Sequence, residues 1–294
     1  MKTENRHSAR TKFSAYLELM KPRIMLMILI TTSFSFYLGN KGFTPFSLLV
    51  ITLIGTALVK GGAAALNHFL ERDQDALMER TKHRPIPAGI ISSQNALSFG
   101  ILLILSGIIV LVLYVNLLTA FLGLLTAFLY VLVYTPAKRI SWINTSIGAI
   151  PGALPAMGGW AAATGQLEWG AWIMFGILFF WQHPHFYAIA TMFKDDYAKA
   201  GFKMLPIVDS SGKRTVRHMI WNGLFLIPIS LLPTFIGLTG NFYFFSVLGL
   251  GILYLLSNFP LMRNYSVRNA RLVLRASVIY LPTLLILIIS DATF

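Results

Sequence analysis

Apolar runs of about twenty residues, broken by short polar intervals, follow one another from residue 24 almost to the end of the chain. At 1.5 Å rise per residue, each run matches the roughly 30 Å hydrocarbon core of a bilayer. This rhythm predicts an all-α integral membrane protein with nine transmembrane helices. The expected spans are residues 24–40, 46–70, 95–115, 117–135, 144–163, 170–193, 217–238, 242–262 and 271–290. No Ser/Gly-rich linker or low-complexity tract divides them, so residues 1–294 read as a single polytopic domain. Residues 1–15 form a basic tail in this reading, and Met1 to Lys12 is too polar for a signal peptide, whose apolar core comes early.

Composition agrees with this pattern: 56% of residues are hydrophobic and 12% charged, with a mean hydropathy of +0.68. The net charge of +13 would suit nucleic acid, but its placement argues for topology instead. Of 24 Lys and Arg residues, all but Lys41 and Lys60 fall in the N-terminal segment or in alternate loops. By the positive-inside rule, that side faces the cytoplasm. The N-terminus and the long loops 71–94 and 194–216 are then cytoplasmic, the C-terminus lies outside, and the chain resides in the cytoplasmic (inner) membrane. Nucleic acid is not an expected partner; the lipid bilayer is. The chain has no cysteine, which excludes disulfides, thiolate nucleophiles and Cys-ligated metals.

Seven of the 11 acidic residues sit where apolar runs end: Glu71, Asp73, Asp75 and Glu79, then Asp195, Asp196 and Asp209. Carboxylates at a membrane edge need a partner. Asn67, Glu71 and Asp75 recur every four residues, so on a helix they share one face. An oxygen-only set of this kind suits Mg²⁺ shared with a phosphate group. Asp73 joins the set only if the helix ends near Glu71. The adjacent Asp195 and Asp196 repel each other unless neutralised, and they read as the opposite wall of a diphosphate pocket. Arg72, Arg84, Lys138, Arg139 and Lys194 supply cations around it. A diphosphate, Mg²⁺ and a lipid-embedded protein together point to an isoprenoid diphosphate, whose allylic cation needs an apolar cavity. His183 and His185 flank Pro184 in an apolar stretch and suit either a porphyrin iron or an acid/base pair; His68 and His83 are the other candidates. The small residues of Gly61 to Ala65 and Gly148 to Gly159 imply close helix packing, a bent fifth span with room for a large ligand, or both. A transporter would need polar residues through the membrane depth, and Lys41 and Glu168 stand nearly alone outside.

Asn67-x3-Glu71-x3-Asp75 resembles the Asn-x3-Asp-x3-Asp motif of the UbiA-type intramembrane prenyltransferases, with Glu in place of the first Asp. Lys21–Pro22–Arg23–Ile24, Asn67 to Pro85, Tyr134 to Arg139, Ile150 to Trp160 and Trp181 to Pro206 are similar to the haem branch of that family. The second acidic motif is reduced, as in that branch, with Met192 four residues before Asp196. The resemblance implies nine helices around a central cavity open to the cytoplasm. It implies farnesyl transfer from farnesyl diphosphate to a vinyl group of haem B, with water added, giving haem O. A related acceptor, a quinone precursor or a chlorin, is the alternative. It also implies Mg²⁺ on Asn67, Glu71, Asp73, Asp75, Asp195 and Asp196, and diphosphate contacts from Arg23, Arg84, Lys138, Arg139 and Lys194. His183 or His185 would orient the haem, and a haem A synthase or a terminal oxidase would receive the product.

Overall fold

Helices follow the apolar runs because a backbone in lipid must satisfy its own N–H and C=O groups. The computed structural model describes residues 12–293; residues 1–11 of the basic tail, and Phe294, lie outside the described residues. Helix α1 (Lys12–Leu19) includes the last residues of the expected 1–15 tail. Its Ala15 and Leu19 pack against Ala65 and Ala96, which holds the segment onto the bundle.

The longer elements are α2 (Pro22–Asn40), α3 (Phe46–Leu70), the short α4 (Arg72–Leu77), α5 (Ser93–Tyr114) and α6 (Leu117–Phe128). A π-helical turn (Leu129–Tyr134) leads from α6 into α7 (Thr135–Ile140). There follow α8 (Asn144–Thr164), α9 (Trp169–Met192), α10 (Lys194–Lys199), α11 (Leu205–Val208), α12 (Lys213–Phe235), α13 (Asn241–Leu256), α14 (Pro260–Arg263) and α15 (Val267–Ser290). Asn116 separates two runs that could have merged: its side chain accepts from Thr119 N at 2.8 Å, capping α6.

Among the described residues, seven helical segments are long and apolar enough to cross a membrane by length and composition. The sequence predicts nine, and α8 and α9 are the other two. They are 21 and 24 residues long, but Gly, Pro, Gln182, His183 and His185 lower their hydropathy. Both are largely buried among the other helices. Helices sheltered from lipid can carry small and polar residues.

Glycine lets the helices approach. A Cβ on Gly62 of α3 would lie 2.5 Å from the Gly100 carbonyl oxygen of α5. One turn-pair away, a Cβ on Gly107 would lie 2.8 Å from the Gly55 oxygen. On α8, Gly152 abuts Gln182 of α9 and Gly159 abuts the Thr32 carbonyl of α2. α8 stays helical through Pro151 and Pro155. The contacts at Gly152 and Gly159 support close packing, one of the two compatible readings of these small residues.

Candidate active site

α3 ends at Leu70, and Glu71 has a non-helical φ/ψ of −98°/11°. Two helix-like bonds bridge the break: Glu71 N donates to Asn67 O at 3.0 Å and Asp75 N to Glu71 O at 2.7 Å. Asn67, Glu71 and Asp75 therefore share one face, as their spacing predicts, and all three are buried. Asp73 points the other way, with its side chain 75% exposed and its carboxylate 3.7 Å from Arg72. The expectation that Asp73 would join the set depended on a helix end near Glu71; α3 does end there, and the Asp73 carboxylate still lies outside the buried face.

Each buried oxygen donor has a cation. Lys21 Nζ donates to Asn67 Oδ1 at 2.6 Å, and Lys138 Nζ donates to Glu71 Oε1 at 2.7 Å. Arg84 Nη1 donates to both Asp75 oxygens, at 2.8 and 2.7 Å. Asn67 Nδ2 donates to Thr135 Oγ1 at 3.1 Å, and that hydroxyl donates to Tyr130 O at 2.8 Å. The π-helical turn is thus tied to the acidic face, a common setting for such turns. Burial pushes the Asp75 carboxyl up, but nearby His68 and Arg84 outweigh it and leave it below the usual range. Burial, then the charges of Arg84 and Lys138, pull the Lys21 ammonium well below its ordinary value. Three basic side chains around two carboxylates make a pocket that favours an additional anion.

The second acidic stretch lies beside the first, but Arg80 mediates the contact. Arg80 N donates to Asp196 Oδ2 at 3.4 Å and Arg80 Nη2 donates to Tyr197 Oη at 3.3 Å. Buried Met78 packs with Ala190 and Phe202 to hold the two loops together. Lys203 N donates to Lys138 O at 2.7 Å, which ties α7 to the same loop. Asp195 is exposed, Asp196 and Lys194 are half-buried, and Arg23 and Arg139 are exposed. The sequence chose Arg23 where the structure brings in Lys21. Lys21 holds a left-handed conformation (φ 54°) at the α1–α2 turn, and the preceding turn with Pro22 was the one local signal for it. Asp209 leaves the cluster: its Oδ2 accepts from Thr215 N at 2.7 Å and Thr215 Oγ1 at 2.9 Å, capping α12.

Among the described residues no three His, Asp or Glu side chains converge on one point. The acidic face offers two carboxylates and one amide, all oxygen donors, so an ion there would complete its shell with phosphate oxygens and water, as Mg²⁺ usually does. Both ring nitrogens of buried His68 lack hydrogen-bond partners, and its Nδ1 is 3.7 Å from Asp75 Oδ2. The polar capacity of the pocket is therefore incompletely used, and the residues fit the ion.

The two α9 histidines differ. His183 Nδ1 donates to Phe179 O at 2.8 Å and its Nε2 accepts from Ser146 Oγ at 3.0 Å, so both nitrogens are engaged. His185 Nδ1 meets Ser277 Oγ at 2.8 Å. The Ser277 hydroxyl donates to Leu274 O at 2.6 Å, so His185 Nδ1 carries the proton and Nε2 keeps its lone pair. Trp181 stacks on the His185 ring at 4.9 Å.

Comparison with known proteins places these features in a family. Residues 28–279 match the UbiA prenyltransferase family. The chain is 42% identical over 285 residues to the protoheme IX farnesyltransferase of Solibacter usitatus, covering 94% of this chain and 98% of that one. It is 43% identical over 276 residues to the enzyme of the same name from Salinibacter ruber, with the same coverages. The fold superposes on a digeranylgeranylglyceryl phosphate synthase with a TM-score of 0.80 at 17% identity, covering 95% of this chain and 98% of that one. It superposes on a UbiA homologue from Archaeoglobus fulgidus bound to DMAPP and Mg²⁺ with a TM-score of 0.74 at 17% identity, covering 94% and 98%. The chain belongs to the UbiA prenyltransferase family.

Proposed function

We propose that this prenyltransferase moves the farnesyl group of farnesyl diphosphate onto a vinyl group of haem B, with addition of water, to give haem O and diphosphate. The observation that carries the diphosphate half is the buried Asn67–Glu71–Asp75 face ringed by Lys21, Arg84 and Lys138. The acceptor rests on relatives named protoheme IX farnesyltransferase at 42% and 43% identity over nearly the whole chain.

In this reading residues 1–294 form one unit with nine membrane crossings, α8 and α9 included, around a cavity open to the cytoplasm. The N-terminus and the acidic loops are cytoplasmic and the C-terminus is outside, in the inner membrane. Asn67, Glu71 and Asp75 would hold Mg²⁺, with Asp196 and Asp195 approaching from the second loop; bound there, the ion would supply positive charge against the departing diphosphate. Lys21, Arg84 and Lys138 exchange their carboxylate and amide partners for phosphate oxygens, with Lys194 in reach from α10 and Arg23 and Arg139 at the rim. As the C1–O bond breaks, the faces of Tyr134 and Tyr130 stabilise the allylic cation, and the apolar bundle excludes water until the vinyl group attacks. Water then adds to the second cation on the porphyrin side chain. His185 presents Nε2 to the haem iron while Ser277 fixes its ring; His183 braces α9 against α8. A haem A synthase or terminal oxidase takes the product.

The test measures two affinities in lipid nanodiscs. Asp75→Ala is expected to abolish Mg²⁺-dependent farnesyl diphosphate binding and leave haem B binding intact, while His185→Ala does the reverse. Unchanged haem affinity and an unchanged Soret band in His185→Ala would remove His185 as a ligand.

A further inference from the structure

Lys60 is an ammonium group inside a membrane-spanning helix. It is 9% exposed, and among the described residues no acidic side chain or hydrogen-bond acceptor meets it; its Nζ lies over the Tyr130 ring, 4.1 Å from the centroid. An intramembrane charge so placed calls for a functional explanation. Seven residues separate Lys60 from Asn67, so the two share a helix face, Lys60 lying about 10 Å deeper along the axis. Between them the same side of α3 carries only Ala63 and Ala64.

Opposite runs a second row. Lys138 Nζ sits 4.8 Å from the Tyr134 ring centroid, Tyr134 lies 5.5 Å from Tyr130, and Tyr130 carries Lys60. Gly148 makes room for the Tyr134 ring, since a Cβ there would fall 2.5 Å from it. An aromatic wall facing two alanines thus leads from the cationic pocket to a single buried cation. Beside Lys60 and Ala63 lies a small cavity of about 20 Å³, closed off by Thr56, Val59, Leu122 and Leu154, room for about one water.

We propose that Lys60, held by Tyr130, is the stop that sets the length of the prenyl chain the enzyme accepts. The inference rests on reading the cationic pocket as the diphosphate site. A hydrocarbon tail entering from there runs over Tyr134 and Tyr130 and ends at the ammonium. A longer tail must unseat that charge from the ring, its one partner, which a buried charge resists. Replacing Lys60 by alanine removes four heavy atoms, close to the five carbons of one isoprene unit.

The experiment compares geranyl, farnesyl and geranylgeranyl diphosphates with the full chain in nanodiscs, with Mg²⁺ and haem B. Dissociation constants are read by calorimetry and kcat/KM by chromatography. Wild type is expected to prefer the C15 chain. Lys60→Ala is expected to raise the C20:C15 ratio about tenfold or more, the size of effect a few methylenes make in an apolar pocket. Lys60→Met, which keeps the length and drops the charge, moves the ratio the same way by less and guards against misfolding of the alanine variant. A wild type that prefers C15, with an unchanged ratio in both folded variants, overturns the stop. A wild type that binds no allylic diphosphate overturns the site reading and this inference together.

Discussion

One nitrogen of Arg84 serves both oxygens of Asp75, a carboxylate with no exposed surface. Removing one member of a buried pair leaves the other charged and unpaired, which costs about 3–5 kcal/mol. Arg84→Met should therefore destabilise the folded protein by about that amount in denaturant titration, and adding Asp75→Asn should recover most of it; a single variant as stable as wild type would contradict the pairing. Asp209 predicts a pH effect. Its carboxyl is held below the ordinary range: burial pushes it up, and the hydrogen bonds from Thr215 and Ser211 outweigh that. A depressed value means the stabilisation is present above the unfolded value near pH 4 and is lost as pH falls through the folded one. The four-residue spacing made Asn67, Glu71 and Asp75 legible in the sequence. Lys21 was not, because its reach to Asn67 depends on a left-handed turn and joins positions 46 residues apart. For Asp73 the difficulty is local: α3 ends at Leu70, yet the Asp73 side chain stays exposed, an orientation that residue types alone do not specify.

Between α3 and α5 the contact is backbone to backbone at Gly62 and Gly100. Alanine at 62 would put its Cβ 2.5 Å from the Gly100 oxygen, so the helices must part. Overpacking of this kind costs about 1–3 kcal/mol. Gly62→Ala is thus expected to lower the melting temperature and, because Asn67 and Glu71 follow on the same helix, to reduce turnover as well. A variant with normal activity would mean that α3 need not be held so close. The apolar runs and the Gly-rich stretches made these helices and their tight packing readable in advance. The π-helical turn was not, since it arises where Pro136 lacks an N–H and Thr135 bonds back to Tyr130. Nor did the sequence distinguish α8 and α9 as inner helices, because length alone makes them look like the rest.

For the assembled bundle, the asymmetry of Lys and Arg predicts which side is cytoplasmic, and the absence of cysteine makes that testable. A single cysteine at the exposed Gln166 should react with a membrane-impermeant maleimide added to intact cells, and one at the exposed Ser210 only after lysis. Labelling of Ser210→Cys from outside would invert the topology. The UbiA fold was legible because its acidic motif lies in continuous sequence, whereas the way Arg80 joins the two acidic loops is a tertiary contact that no local pattern announces. Farnesyl transfer to haem itself is settled by one assay: purified protein in lipid with haem B, farnesyl diphosphate and Mg²⁺, the porphyrins resolved by chromatography and mass spectrometry. The account predicts a new haem heavier by one farnesyl group and one hydroxyl, and its loss with EDTA. Farnesyl diphosphate bound in a Mg²⁺-dependent way with no modified haem formed would contradict it.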